Sequence, residues 1–106
     1  MKKYLGLVIS AVTISVYLST ASAVTYWPPT LTDWSLSLNN GVAYITSSQF
    51  ASHCSHNRGQ IKMDGTEFNK AQYAYAMSAK ARGKKMAYVV DDVQTTCVIY
   101  GLQEVD

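Results

Sequence analysis

Two cysteines, Cys54 and Cys97, are the residues with the clearest chemistry in this sequence. In an oxidising compartment an isolated pair most often closes into a disulfide. The closed loop would span 43 sequence steps, and the entropy it removes from the unfolded chain contributes about 4 kcal/mol. A metal reading also exists, because His53, Cys54 and His56 lie close together. It needs a fourth ligand and tetrahedral geometry. Ser47, Ser48, His53, His56, Asp91 and Asp92 include the types that make a nucleophile, a base and an orienting acid. Neither serine is flanked by the glycines of a nucleophile elbow, and so small a chain has little room for a water-shielded pocket. The sequence therefore points away from an enzyme and assigns no catalytic residue, metal or cofactor. The neighbours Asp91 and Asp92 fit either a cation site or a turn, and aspartate is common in turns because it bonds its own backbone.

The aromatic residues carry a different chemistry. Sugar sites set an aromatic face against C–H groups and add a few polar anchors. Tyr26, Trp27, Trp34 and Tyr44 are candidates for the face, with Ser35 and Ser37 as polar neighbours. For Trp34 a core role competes, because Trp34, Leu36 and Leu38 alternate with Asp33, Ser35, Ser37 and Asn39. Trp27 stands beside Pro28 and Pro29, outside that pattern, and so is free for contact.

These residues need elements to position them. Tyr26-Trp27-Pro28-Pro29 is an extended, proline-stiffened lead-in. The period-two run ending at Asn39 is a half-buried strand. Asn40-Gly41 supplies a tight turn, and Val42 to Thr46 returns as the hairpin partner. After a polar stretch, Gly59 to Met63 reads as a third strand. Asp64 or Thr66 can cap a helix from Glu67 to Arg82, which ends at Gly83 with basic residues around its negative end. One helix face carries Phe68, Ala71, Tyr75 and Ala79; another carries Tyr73, Met77 and Ala81, with Ala74 beside them. A helix apolar on two sides packs on two sides. Tyr73, Met77 and Ala81 are accordingly candidates for a subunit interface, unless that face simply meets water. Met86 to Val90 is a buried strand. Thr95 to Val105 reads as one long last strand with a bend or bulge at Gly101. The order β-β-β-α-β-β defines a small α+β domain around one sheet.

The beginning of the sequence sets the compartment. Lys2 and Lys3 precede an uncharged apolar stretch from Leu5 to Leu18, and Ala21-Ser22-Ala23 matches a signal-peptidase site. The expected division is a signal peptide at 1–23 and a single disulfide-closed domain at 24–106, exported to the periplasm or secreted. The apolar stretch is shorter than a membrane span needs, so no span remains after cleavage. Without Lys2 and Lys3, seven basic residues face seven acidic ones. A neutral domain has no electrostatic footprint for nucleic acid.

One stretch resembles a known group. Tyr75-Ala76-Met77-Ser78-Ala79-Lys80-Ala81-Arg82-Gly83-Lys84-Lys85-Met86, followed by a strand and Cys97, resembles small exported bacterial proteins without assigned function. Its helix-Gly-strand arrangement is similar to the B subunits of AB5 toxins of the subtilase-cytotoxin and typhoid-toxin type. The resemblance covers roughly Asp64 to Leu102 and implies an OB-like fold, a ring of subunits and a glycan ligand. No segment matches the toxin family's glycan-contacting residues, so none is carried over.

The expected function is a non-enzymatic secreted binding module, homo-oligomeric on the ring analogy, that recognises a glycan or an exported protein. The alternative is a structural or inhibitory partner of another exported protein, working through the second helix face or an exposed edge strand.

Overall fold

The computed structural model describes residues 24–106, and the expected leader, Met1–Ala23, lies outside the described residues. The chain runs β1 (Thr25–Tyr26), β2 (Ser35–Asn39), β3 (Val42–Thr46), β4 (Arg58–Lys62), α1 (Glu67–Ala81), β5 (Lys85–Asp91), β6 (Cys97–Val98) and β7 (Gly101–Val105). It is an α+β fold with two sheets, ordered β2-β3-β4-β6 and β1-β5-β7.

Local chemistry explains the hairpin. Asn40 and Gly41 both take left-handed backbone, at φ 53° and 77°, the pair of angles a two-residue hairpin turn requires. The register from Asn39 opposite Val42 to Ser35 opposite Thr46 follows from it. The expected inward face fades toward the tip: Trp34 is buried, Leu36 is half-buried and Leu38 is exposed. The core lies nearer the strand start, where Trp34 Nε1–H donates to the Lys84 carbonyl at 2.9 Å.

The helix begins where the capping residues place it. Thr66 Oγ1 accepts from the Asn69 N–H, and Asp64 Oδ1 accepts from the Thr66 N–H at 3.1 Å. It stops before Gly83, whose φ of 71° is cheap only without a Cβ. The buried stripe is Gln72, Ala76 and Ala79, which shares only Ala79 with the first face expected from the sequence and nothing with the second. Small side chains let the helix approach the sheet closely, while the larger Phe68, Tyr75 and Met77 stay at the surface. Tyr73 packs partly against the core; Met77 and Ala81 are exposed. Three helix side chains satisfy backbone outside the helix, Lys80 by donating to the Trp34 carbonyl. Gln72 Nε2–H donates to the Ile99 carbonyl at 3.1 Å, and Tyr75 Oη accepts from the Glu104 N–H at 2.8 Å.

The single sheet and the single last strand expected from the sequence are both corrected. β6 pairs parallel with β4, whereas β7 pairs antiparallel with β5. The change of partner falls between two residues: the Ile99 N–H donates to the Gln60 carbonyl and the Tyr100 N–H to the Val89 carbonyl, both at 2.9 Å. One extended segment thus joins the two sheets. A bridge between Leu31 and Met86, hydrogen-bonded in both directions, brings β5 back to the segment leading into β2. The core of Leu31, Ile45, Ile61, Met86, Tyr88, Val90 and Ile99 fills the space enclosed.

Candidate functional site

The outward face of β3 and β4 is set by strand periodicity. Ala43, Ile45, Gly59 and Ile61 point into the core, so Tyr44, Arg58 and Gln60 point out. The register places Tyr44 opposite Gln60 and Thr46 opposite Arg58, which makes Tyr44 and Arg58 diagonal neighbours. The Arg58 guanidinium carbon lies 3.9 Å from the centre of the Tyr44 ring, within cation–π range.

The end of the segment between β3 and β4 forms one wall, through Ser55 and His56. The Ser47 N–H donates to the Asn57 carbonyl at 3.0 Å, and the Ser55 N–H donates to the Thr95 carbonyl at 2.7 Å. The disulfide between Cys54 and Cys97, with Cα atoms 5.4 Å apart, fixes the same segment to β6. His56 and Asn57 both carry left-handed backbone, at φ 62° and 52°. This conformation is uncommon outside glycine and concentrates at functional sites. The result is a cleft of about 180 Å³ lined by Tyr44, Ser55, His56, Arg58, Gln60, Thr96 and Cys97. It continues into a shallower trough that shares Gln60 and Thr96 and extends past Lys62 and Val93. An aromatic face, a fixed cation, two hydroxyls, an imidazole and an amide meet there. Such a set can hold a hydroxyl-rich ligand against a ring.

The expected ligand residues converge only in part: Ser37 stands opposite Tyr44 on β2, whereas the other aromatics lie elsewhere. Tyr44 lines the cleft. Trp34 is 4% exposed and belongs to the core. Ser35 is exposed on β2 opposite Thr46. Tyr26 is on β1 in the other sheet, its ring 6.3 Å from that of His53. Trp27 is 54% exposed beside it in sequence and does not line the cleft. Arg58, Gln60, Ser55 and Thr96 were missed. The alternation Arg58, Gln60, Lys62 signals an outward face, but only the strand register shows which aromatic it joins.

Three residues considered for hydrolysis, Ser47, His53 and Asp91, hold backbone groups in place. Ser47 Oγ–H donates to the Asp33 carbonyl at 2.5 Å. Asp91 Oδ1 accepts from the N–H groups of Val93 and Gln94, as a turn aspartate does. His53 Nε2–H donates to the Asp91 carbonyl at 2.8 Å. The metal grouping also changes: the third residue near His53 and Cys54 is Cys97, while His56 lines the cleft instead. Among the described residues, no helix is long and apolar enough to cross a membrane.

No protein-family model, curated protein or solved structure matches this chain. Nothing in these comparisons links the chain to toxin B subunits.

Proposed function

We propose that the chain is a non-enzymatic exported binding module with an OB-like architecture, and that the cleft at Tyr44 and Arg58 takes a glycan. Two features support the architecture. The pairings β2-β3-β4-β6, β6 into β7, β7-β5 and the Leu31–Met86 bridge trace a nearly closed circuit, with the helix between β4 and β5. Counting from β2, the cleft lies on the second and third strands of that circuit and reaches the loop before β6. In OB-folds these strands and such loops bind oligosaccharides and oligonucleotides. The balanced charge of residues 24–106 favours the sugar. The observation that carries the reading is the stacked Tyr44–Arg58 pair inside a cleft ringed by polar groups.

A glycan array probed with the oxidised protein tests it. Binding to a defined glycan set, lost in both Arg58→Ala and Tyr44→Ala and kept in Trp27→Ala, is expected. Glycan binding that both cleft variants retain would refute the site, and no binding by wild type would refute the ligand class.

The alternative, a protein partner, is favoured by one observation. Phe68, Tyr75 and Met77 leave 56%, 37% and 47% of their surface exposed on one short helix.

A further inference from the structure

His53 Nε2 lies 3.8 Å from Cys54 Sγ and 3.7 Å from Cys97 Sγ. In a tetrahedral zinc site with ordinary bond lengths, a nitrogen and a sulfur ligand stand about 3.6 Å apart. The imidazole is thus already near coordination distance from both sulfurs. Only the sulfurs are too close to each other, because they are bonded. Both cysteines are 3% exposed, so the three donor atoms meet in a largely dry place. The Cα separation of 5.4 Å allows the two thiols to move apart by rotation about their Cα–Cβ bonds.

We propose that, when the disulfide is reduced, His53, Cys54 and Cys97 form a three-ligand site for Zn²⁺, with water in the fourth position. A dithiol supplies the two electrons and two protons that convert the S–S bond into two thiols, and leaves as its own disulfide. The cation then displaces one proton from each thiol to solvent. The His53 proton that now serves the Asp91 carbonyl moves to Nδ1, and the ring turns Nε2 from that carbonyl toward the two sulfurs to ligate. Crosslink and cation compete for the same sulfurs, so the bound metal protects the thiols from oxidation until it is removed. This inference is independent of the glycan cleft.

Co²⁺ is the probe, added to protein that has been reduced with dithiothreitol and desalted without oxygen. One equivalent should give thiolate charge-transfer absorption in the near ultraviolet and the visible bands of tetrahedral cobalt. Zn²⁺ should then bleach both. The oxidised protein should show neither. His53→Ala should weaken binding by more than about tenfold, since loss of even an outer-shell partner costs that much. Reduced wild type without these bands, or His53→Ala with unchanged affinity, would overturn the proposal. Circular dichroism guards against unfolding. If reduction melts the fold, one equivalent of Zn²⁺ should restore it in wild type and not in His53→Ala, and failure to restore it also refutes the site.

Discussion

Gly59 faces the ring of Phe50 so closely that a Cβ at this position would sit 2.7 Å from Phe50 Cζ and 2.8 Å from Ile99 Cγ1. The missing side chain lets the segment between β3 and β4 close over the sheet and stack Phe50 on Tyr88, with ring centres 4.3 Å apart. The glycine faces the core, on the side of β4 away from the cleft, and seats the same segment whose far end carries Ser55 and His56 to the cleft. Gly59→Ala is expected to destabilise the protein by about 1–3 kcal/mol, as overpacking of a filled core does. Urea denaturation measures it. As a control, Gly41→Ala meets no atom within 4 Å but keeps a φ of 77°, and should cost only the left-handed strain of about 1–2 kcal/mol.

The disulfide closes a loop of 43 steps in a domain with a small core. The double variant Cys54→Ser/Cys97→Ser should lose about 2–4 kcal/mol relative to the oxidised protein. The comparison is a pair of urea curves without reductant. A variant as stable as wild type would show that the core holds alone.

The Arg58–Tyr44 contact should contribute to stability as well as to recognition. Arg58→Ala is expected to cost about 0.5–1 kcal/mol, the range for a cation–π pair near the surface. A double-mutant cycle with Tyr44→Leu isolates the pair. A coupling of zero would mean that the two side chains only happen to stack.

Acid should weaken the fold through the edge strand. Arg82 forks onto Glu104, with Nη1–H donating to Oε2 at 2.7 Å and Nη2–H donating to Oε1. These bonds, and the charge of Arg82, hold the Glu104 carboxyl below its ordinary value of 4.5. The Asn69 side chain, and then the Thr66 N–H, do the same for Asp64 at the helix start. A depressed carboxyl favours the folded state above its ordinary value and loses that contribution as pH falls through its folded value. Stability should be flat near neutrality and decline as pH falls below about 4.5. Glu104→Gln should make that decline shallower. Equal acid slopes for variant and wild type would remove the pair from the account.

The exposed helix face bears on assembly. Met77 and Ala81 are open to solvent, whereas Tyr73 is partly engaged by the core. If two copies meet on this face, sedimentation velocity should show a concentration-dependent oligomer that Met77→Glu abolishes. A monomer at every concentration would end the ring analogy.

The elements set by local chemistry could be read from the sequence. Asn40-Gly41 needs left-handed angles, Thr66 needs a free N–H to cap, and Gly83 needs no Cβ; none of these depends on distant residues. The helix contact face was hidden because Ala76 and Ala79 are nearly neutral in hydropathy and Gln72 is polar. Their burial follows from size and from the Ile99 carbonyl that Gln72 meets. Thr95 to Val105 reads as strand interrupted only at Gly101, which signals a bend near the change of partner at Ile99 and Tyr100 but not the second sheet that the chain joins there. The cleft was hidden for a related reason, since Tyr44 and Arg58 become neighbours only through the register of β3 on β4.

The parallel pairing of Gly59 with Cys97 and of Gln60 with Val98 has a consequence for the order of assembly. The hairpin and the helix can form from near neighbours, but β6 has to travel back past the helix before it docks, and such distant pairings form slowly. Until it arrives, β4 presents a bare row of backbone donors and acceptors, a template for another chain's strand. Nascent molecules are therefore most prone to clump just before the tail docks. The helper most useful to them would be one that shields that row or hastens the bond at Cys97.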